Sequence, residues 1–399
     1  MSKSSNYSHL SITLTKEIKK DEKKRNGIYF TPPSTIQMTL QLLEPYIKNI
    51  KNVLEPSCGS CEYINALPNG LNIIGIELNK TIFESIKDLE KKNIKLYNQD
   101  YMTYDTDNKF DLIIGNPPYF VMKKKDVPKS YHKYFNGRPN IFILFIIKSL
   151  ELLNTNGILS FILPKSFLNC LYYDKTRNYL NEFKILHIVE CNNEYIDTEQ
   201  ETILLILQKG VKDNESYCLS YSDYTIFGTP TSIVKLNELY NGSTTLNKLG
   251  FTVTVGTVVW NQVKNDLTTE KKTLLIYSSN IKNKELVTKI YSNQEKKNYI
   301  NKKGDTEPVL LINRGYGVGK YNFEYYLLNR EENTEYLIEN HLICIKYKKD
   351  KKNKEELICL YDKIIQSFEN KKTEEFINLY FGNNAINTTE LCEMLPIYI

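Results

Sequence analysis

The sequence predicts an α/β protein built on a Rossmann-like, mostly parallel sheet and followed by a C-terminal module of mixed α/β structure. Three observations carry this prediction. Short apolar runs at 51–55, 73–77, 94–97 and 112–114 alternate with helical patterns through the first half of the chain. These runs lead into Glu55, Glu77, Asp100 and Asn116, polar residues at the strand ends where open α/β sheets bind ligands. Beyond residue 242 the alternation gives way to short β-type segments with basic insertions.

The 399 residues leave room for two or three domains, and 41% apolar and 25% charged residues are ordinary for a globular protein. A net charge of +5 is mildly basic, so local clusters have to carry any argument for nucleic acid. No apolar run approaches ~20 residues and the start is polar, so neither a membrane span nor a signal peptide is expected, and the protein reads as intracellular. The eight cysteines sit mostly inside apolar runs, the pattern of reduced, buried thiols. Cys58 and Cys61 form a C-x-x-C without a second pair at zinc-site spacing, so no metal is expected.

Residues 1–26 are polar and close on the charge run 19–25, which reads as a solvated arm or short helix. Gly27-Ile-Tyr-Phe-Thr31-Pro-Pro-Ser then opens a helical pattern over 35–47, placing Thr31 where a ligand carboxylate meets a helix N-terminus. After the strand ending at Glu55, the small residues Pro56, Ser57, Cys58 and Gly59 let backbone approach a ligand closely. The Gly-Lys-Ser/Thr of a phosphate-binding P-loop is missing. Glu77 closes the second strand about twenty residues on, a spacing that suits a carboxylate on ribose hydroxyls. A helix over 81–92, a strand over 94–97 and then Asp100-Tyr101 follow. An acidic crevice with no phosphate cradle favours a nucleoside bearing positive charge, and S-adenosylmethionine meets that requirement.

Asp111-Leu-Ile-Ile-Gly-Asn116-Pro117-Pro118-Tyr119 is the stretch on which the rest converges. The two prolines fix φ and forbid helix, holding the Asn116 amide oxygen and the Pro117 carbonyl side by side in an extended turn. Two adjacent acceptors clamp a planar amine, and Tyr119 adds an aromatic face. Residues 120–139 mix Lys123, Lys124, Lys125 and Arg138 with Tyr131, Tyr134 and Phe135, a composition suited to phosphates around an extruded base. A helix over 140–153, a strand over 158–163 and two edge strands at 185–189 and 202–207 complete the sheet.

In the order and spacing of 27–33, 54–59, 75–77, 100–101 and 111–119, the chain resembles the N6-adenine-specific DNA methyltransferases whose cofactor motifs precede the catalytic motif. It departs from them at Cys61, where many relatives carry glycine. The resemblance implies an S-adenosylmethionine-dependent catalytic domain over 27–242 and a DNA target-recognition domain over 243–399. It implies cofactor contacts from Thr31, Glu55, Pro56, Ser57, Cys58, Gly59, Glu77, Asp100, Tyr101, Asn116 and Pro118. It also implies catalysis by Asn116, Pro117 and Tyr119, with Tyr195 covering the second face of a flipped adenine. The interval from Tyr195 to Thr202 is about one residue longer than in relatives. Double-stranded DNA is the implied partner, contacted by Lys123–Lys125, Arg138 and, in the second half, Arg314, with Lys320 a further candidate. A monomer with any restriction endonuclease on a separate chain completes the expectation. RNA adenine and protein glutamine methyltransferases use the same clamp and stay open as alternatives, as does methylation of cytosine's amine.

Overall fold

The computed structural model describes residues 7–192, 194–314, 324–329, 334–348, 353–381 and 386–399. The chain divides into two compact units, Met1–Val234 and Lys235–Ile399. The division falls inside the helix Pro230–Tyr240, ahead of the 242/243 boundary expected from sequence. That helix's end is tied onward within the second unit: Tyr240 donates to the Met394 carbonyl at 3.1 Å, and Tyr398 to that of Leu239 at 2.6 Å.

In the first unit, α1 (His9–Glu17), α2 (Lys20–Asn26) and α3 (Pro33–Leu43) precede β1 (Asn52–Glu55), α4 (Glu62–Ala66), β2 (Asn72–Glu77), α5 (Lys80–Ile86), β3 (Ile94–Asn98) and β4 (Phe110–Gly115). There follow α6 (Ile141–Leu152), β5 (Leu153–Pro164), α7 (Asp174–Leu180), β6 (Lys184–Glu190) and β7 (Thr202–Gln208). The strands form one sheet in the order β3-β2-β1-β4-β5-β7-β6. β1 to β5 pair in parallel, and β7 runs antiparallel to both β5 and β6. This is the Rossmann-like sheet the sequence predicts, with the hairpin-like edge at its end.

Side chains alternate across the strands, so each strand feeds two cores. Ile113, Leu159, Phe161 and Leu205 pack on one face with α6, and Leu112, Ile114, Ile162 and Leu204 on the other with Ile36, Leu43 and Tyr63. α6 is buried almost all round, as its unbroken apolar sequence requires. Asp111 pins the β1/β4 register by accepting from the backbone N–H groups of Lys51 and Asn52, both at 3.0 Å.

Residues 8–26 are largely helical, as one of the two expectations had it, and they are packed rather than solvated. Leu10, Leu14 and Ile18 recur at helical spacing, and the last two are buried against Phe30 and Ile82. The charge run hid this apolar stripe. No helix among the described residues is long and apolar enough to cross a membrane.

The second unit contains two four-stranded sheets among its described residues. One orders Phe251–Val255, Leu342–Tyr347, Val309–Asn313 and Tyr325–Leu328, all antiparallel. The other orders Leu267–Thr268, Tyr299–Ile300, Thr273–Ile276 and Tyr336–Ile338, the last pair parallel. Gly256 joins them where backbone passes backbone: a Cβ there would lie 2.2 Å from the Glu339 carbonyl oxygen. Helices Lys354–Phe368, Lys371–Phe376 and Thr388–Glu393 close the unit.

Candidate active site

A cavity of about 720 Å³ opens at the carboxyl ends of β1, β2 and β4. Pro56, Ser57, Gly59, Glu77, Asp100, Tyr101, Asn116 and Pro118 line it, as do Tyr29, Phe30, Asn79, Gln99, Phe120, Met122 and Asp126. The carboxylates of its lining, Glu77, Asp100 and Asp126, meet no lysine, arginine or histidine among the described lining residues. An acidic pocket of this size rejects phosphates and fits a cationic nucleoside such as S-adenosylmethionine.

Glu77 accepts from the backbone N–H of Gly59 at 2.9 Å and of Asn79 at 2.7 Å, joining the loop after β1 to the turn after β2. Burial raises its pKa, and the hydrogen bonds from Asn79, Gly59 and Leu78 oppose that shift. Ser57 donates to the Asn116 carbonyl at 3.1 Å, so the same loop also grips the clamp. Asp100 caps the turn after β3 by accepting from Met102 N–H at 2.9 Å. The Tyr101 hydroxyl lies 2.9 Å from Ser149 on α6.

Thr31, Glu55 and Cys58 are buried and lie outside the cavity's lining. Glu55 Oε2 has no hydrogen-bond partner among the described residues. Burial first, then Cys61 and Glu77, pushes its carboxyl well above the usual range.

Asn116 sits directly after β4, and its amide is engaged on both sides. Its Oδ1 accepts from the Tyr119 hydroxyl at 2.8 Å, and its Nδ2 donates to the Tyr195 hydroxyl at 3.3 Å and the Tyr29 carbonyl at 3.4 Å. The Tyr119 hydroxyl is also 2.8 Å from the Ile162 carbonyl, and its ring meets Phe142 edge-on at 5.9 Å. Gly27, at φ +65°, packs onto the clamp so closely that a Cβ would lie 2.6 Å from Tyr119 N. The sequence brought Gly27 into a motif without showing this contact.

The loop 120–139 is zipped at its base, with Met122 N–H donating to Pro139 and Ile141 N–H to Phe120, at 2.8 and 2.9 Å. Lys123, Lys124, Lys125 and Arg138 are exposed. The loop's aromatics are used inside: Tyr131 lines the cavity, Tyr134 meets Tyr179 at 4.5 Å, and Phe135 is in the core. Arg314 is exposed, while Lys320 lies outside the described residues.

Residues 8–196 match the family described as Eco57I restriction-modification methylase. The chain is 28% identical over 400 residues to Type II methyltransferase M.CvrRI of Paramecium bursaria Chlorella virus XZ-6E, covering 97% of this chain and 98% of that protein. It is 26% identical over 407 residues to the modification methylase CviBIII of Paramecium bursaria Chlorella virus NC1A, covering 98% and 99%. Against Type II methyltransferase M.AccI of Acinetobacter calcoaceticus the identity is 32% over 209 residues, 48% of this chain and 38% of that one. The two viral relatives are matched along nearly their whole length, so the similarity extends over the second unit as well as the first.

Several lining residues of the cavity were not singled out from sequence. Ile141, Leu144 and Phe145 line the cavity from α6 at i, i+3 and i+4. The spacing was visible, but in a helix apolar on every side it points nowhere in particular.

Proposed function

We propose that this methylase transfers a methyl group from S-adenosylmethionine to the N6 amine of an adenine extruded from double-stranded DNA. The observation that carries this reading is the position of Asn116, at the end of β4, on the wall of an acidic cavity. When bound, the cofactor supplies an electrophilic methyl group. Asn116 Oδ1 and the Pro117 carbonyl accept hydrogen bonds from the two N–H groups of the amine and turn its lone pair towards that methyl; one of these protons is released to solvent once the N–C bond has formed, so catalysis is positioning and electrostatics. The carboxylates of Glu77 and Asp100 hold ribose and adenine of the cofactor, with Glu55 and Thr31 towards its methionine end.

Extrusion costs a few kcal/mol. Stacking on Tyr119 and Tyr195 offsets it at about 1–3 kcal/mol per base. Lys123, Lys124, Lys125 and Arg138 are free to meet phosphates, which fixes orientation without reading sequence. Recognition of a DNA sequence falls to residues 243–399, where Arg314 is exposed and where the Lys264 and Lys296 ammonium groups lie 6.0 and 5.0 Å from the Trp260 ring centroid. The methylase acts as a monomer, and any cognate endonuclease is a separate chain.

The test is methyl transfer from labelled S-adenosylmethionine to unmethylated duplex DNA, with Asn116→Ala as control and single-molecule sequencing of the product. N6-methyladenine at one short motif, lost in the variant, is the expected result. Label in RNA, in a glutamine-containing protein substrate or on cytosine, and none on adenine in DNA, overturns the assignment.

A further inference from the structure

The segment that carries Tyr195 has no regular secondary structure, yet it is tied down on both sides of that residue. Tyr7 donates to the Glu194 carbonyl at 3.2 Å, and Ser34 to Glu194 Oε2 at 2.5 Å. Beyond Tyr195, Ile196 packs on the cluster of Tyr7, Leu14, Ile18 and Phe30, and Lys23 pairs with Asp197 at 2.5 Å. Lys23 is itself buried, its side chain 8% exposed, and it also donates to the Thr15 carbonyl at 2.7 Å. Of these four, Tyr195 is the one whose hydroxyl accepts from Asn116.

The same helix pair grips the cofactor side. Ser8 and Ser11 both donate to Glu62 Oε1, Ser11 lies 2.8 Å from Ser60, and Asn79 donates to Glu22 at 3.1 Å. Residues 7–26 therefore span from the loop after β1 and the turn after β2 to the Tyr195 segment.

We infer that the N-terminal helix pair is a brace that sets Tyr195 against the clamp, with Lys23 as its positioning residue acting through Asp197. The inference rests on the reading of Tyr195 as the cover of the flipped base. A buried ammonium has one ordered pose when paired, so the Lys23–Asp197 contact fixes the backbone two residues from Tyr195. Loss of the contact leaves the clamp residues in place and lets the covering ring wander.

The experiment compares Lys23→Met, Lys23→Arg, Asp197→Asn, Tyr7→Phe and Tyr195→Ala in the full chain. Each is measured for thermal unfolding, cofactor affinity by calorimetry, kcat and KM on duplex DNA, and emission of 2-aminopurine at the target adenine. Asp197→Asn and Lys23→Met are expected to lower kcat/KM on DNA about tenfold to a hundredfold, as displaced positioning groups do. They should shift the 2-aminopurine emission in the direction Tyr195→Ala does and leave cofactor affinity unchanged, with Lys23→Arg recovering most of the loss. Should Lys23→Met fail to fold, the partly exposed Asp197 and Tyr7→Phe, which deletes one hydroxyl, carry the test. Parental kinetics and emission in Asp197→Asn and Tyr7→Phe, beside an impaired Tyr195→Ala, overturn the brace and leave the base-covering reading standing. Parental kinetics in Tyr195→Ala overturn that reading itself.

Discussion

The cavity and the proposed amine clamp share Asn116 but stand in opposite states. The cavity is open, its carboxylates set by backbone hydrogen bonds to Glu77 and Asp100. The clamp is closed on itself, its acceptor occupied by the Tyr119 hydroxyl and its donor by Tyr195 and Tyr29. A half-buried amide without hydrogen-bond partners is costly, so the site satisfies Asn116 from its own tyrosines and the Tyr29 carbonyl. The difference teaches that, on the proposed function, a cationic nucleoside would find a preformed site, whereas a target amine would have to displace a hydroxyl from Asn116 Oδ1.

The strongest way to break this comparison is Asn116→Ala. It is expected to reduce methyl transfer on the order of a thousandfold, as removal of a preorganised polar group at the reacting atoms does. Cofactor affinity, read by calorimetry, should change far less; a parallel loss of both would merge the two regions into one. Glu77→Ala is the converse: loss of a carboxylate on the ribose is expected to weaken cofactor binding about tenfold to a hundredfold. Recovery of kcat at saturating cofactor would confirm that the clamp is independent.

Gly27→Ala touches both regions, because the added methyl meets the Tyr119 backbone at 2.6 Å from a left-handed conformation. The expected cost is about 1–2 kcal/mol of stability, with a rise in KM for DNA, checked by thermal unfolding and steady-state kinetics. The Lys123, Lys124 and Lys125 triple alanine variant should lower the slope of log affinity against log salt by up to about three, without changing the sequence methylated. An unchanged slope would remove this loop from the DNA interface.

The smallest effect is a pH dependence. A carboxyl whose folded pKa lies above its unfolded value stabilises the fold below the unfolded pKa and loses that contribution as pH rises through the folded one. Glu55 is raised well above 4.5 by burial, Cys61 and Glu77, so the cofactor-free protein is expected to lose stability as pH rises from that point. Glu55→Gln should flatten the melting-temperature profile over this range and weaken cofactor binding. A profile identical to the parent would show that Glu55 keeps its charge state on folding.

Much of the site was legible along the chain. Parallel strands are continuous apolar runs, and their ends are marked by an abrupt change of residue type, so Glu55, Glu77, Asp100 and Asn116 could be placed before any coordinates. The proline pair confined the backbone at Asn116 locally, with no help from distant residues. The packing of the N-terminal helices was not legible, because their stripe of Leu10, Leu14 and Ile18 is thin beside the charge run that follows it. The second unit was legible only as β-rich, since strands two to six residues long carry too little pattern to fix a register.

The sequence by itself determined the sheet, the acidic character of its crevice and the stiff Asn116-Pro117-Pro118 turn after β4, because each follows from local residue chemistry and a period of two. Only the tertiary structure decided that Glu55 is buried off the cavity, that Tyr119 turns its hydroxyl onto Asn116, and that Lys23 reaches Asp197. These are contacts between residues far apart in the chain, or choices of rotamer set by neighbouring elements. Local chemistry leaves them open, and packing selects one.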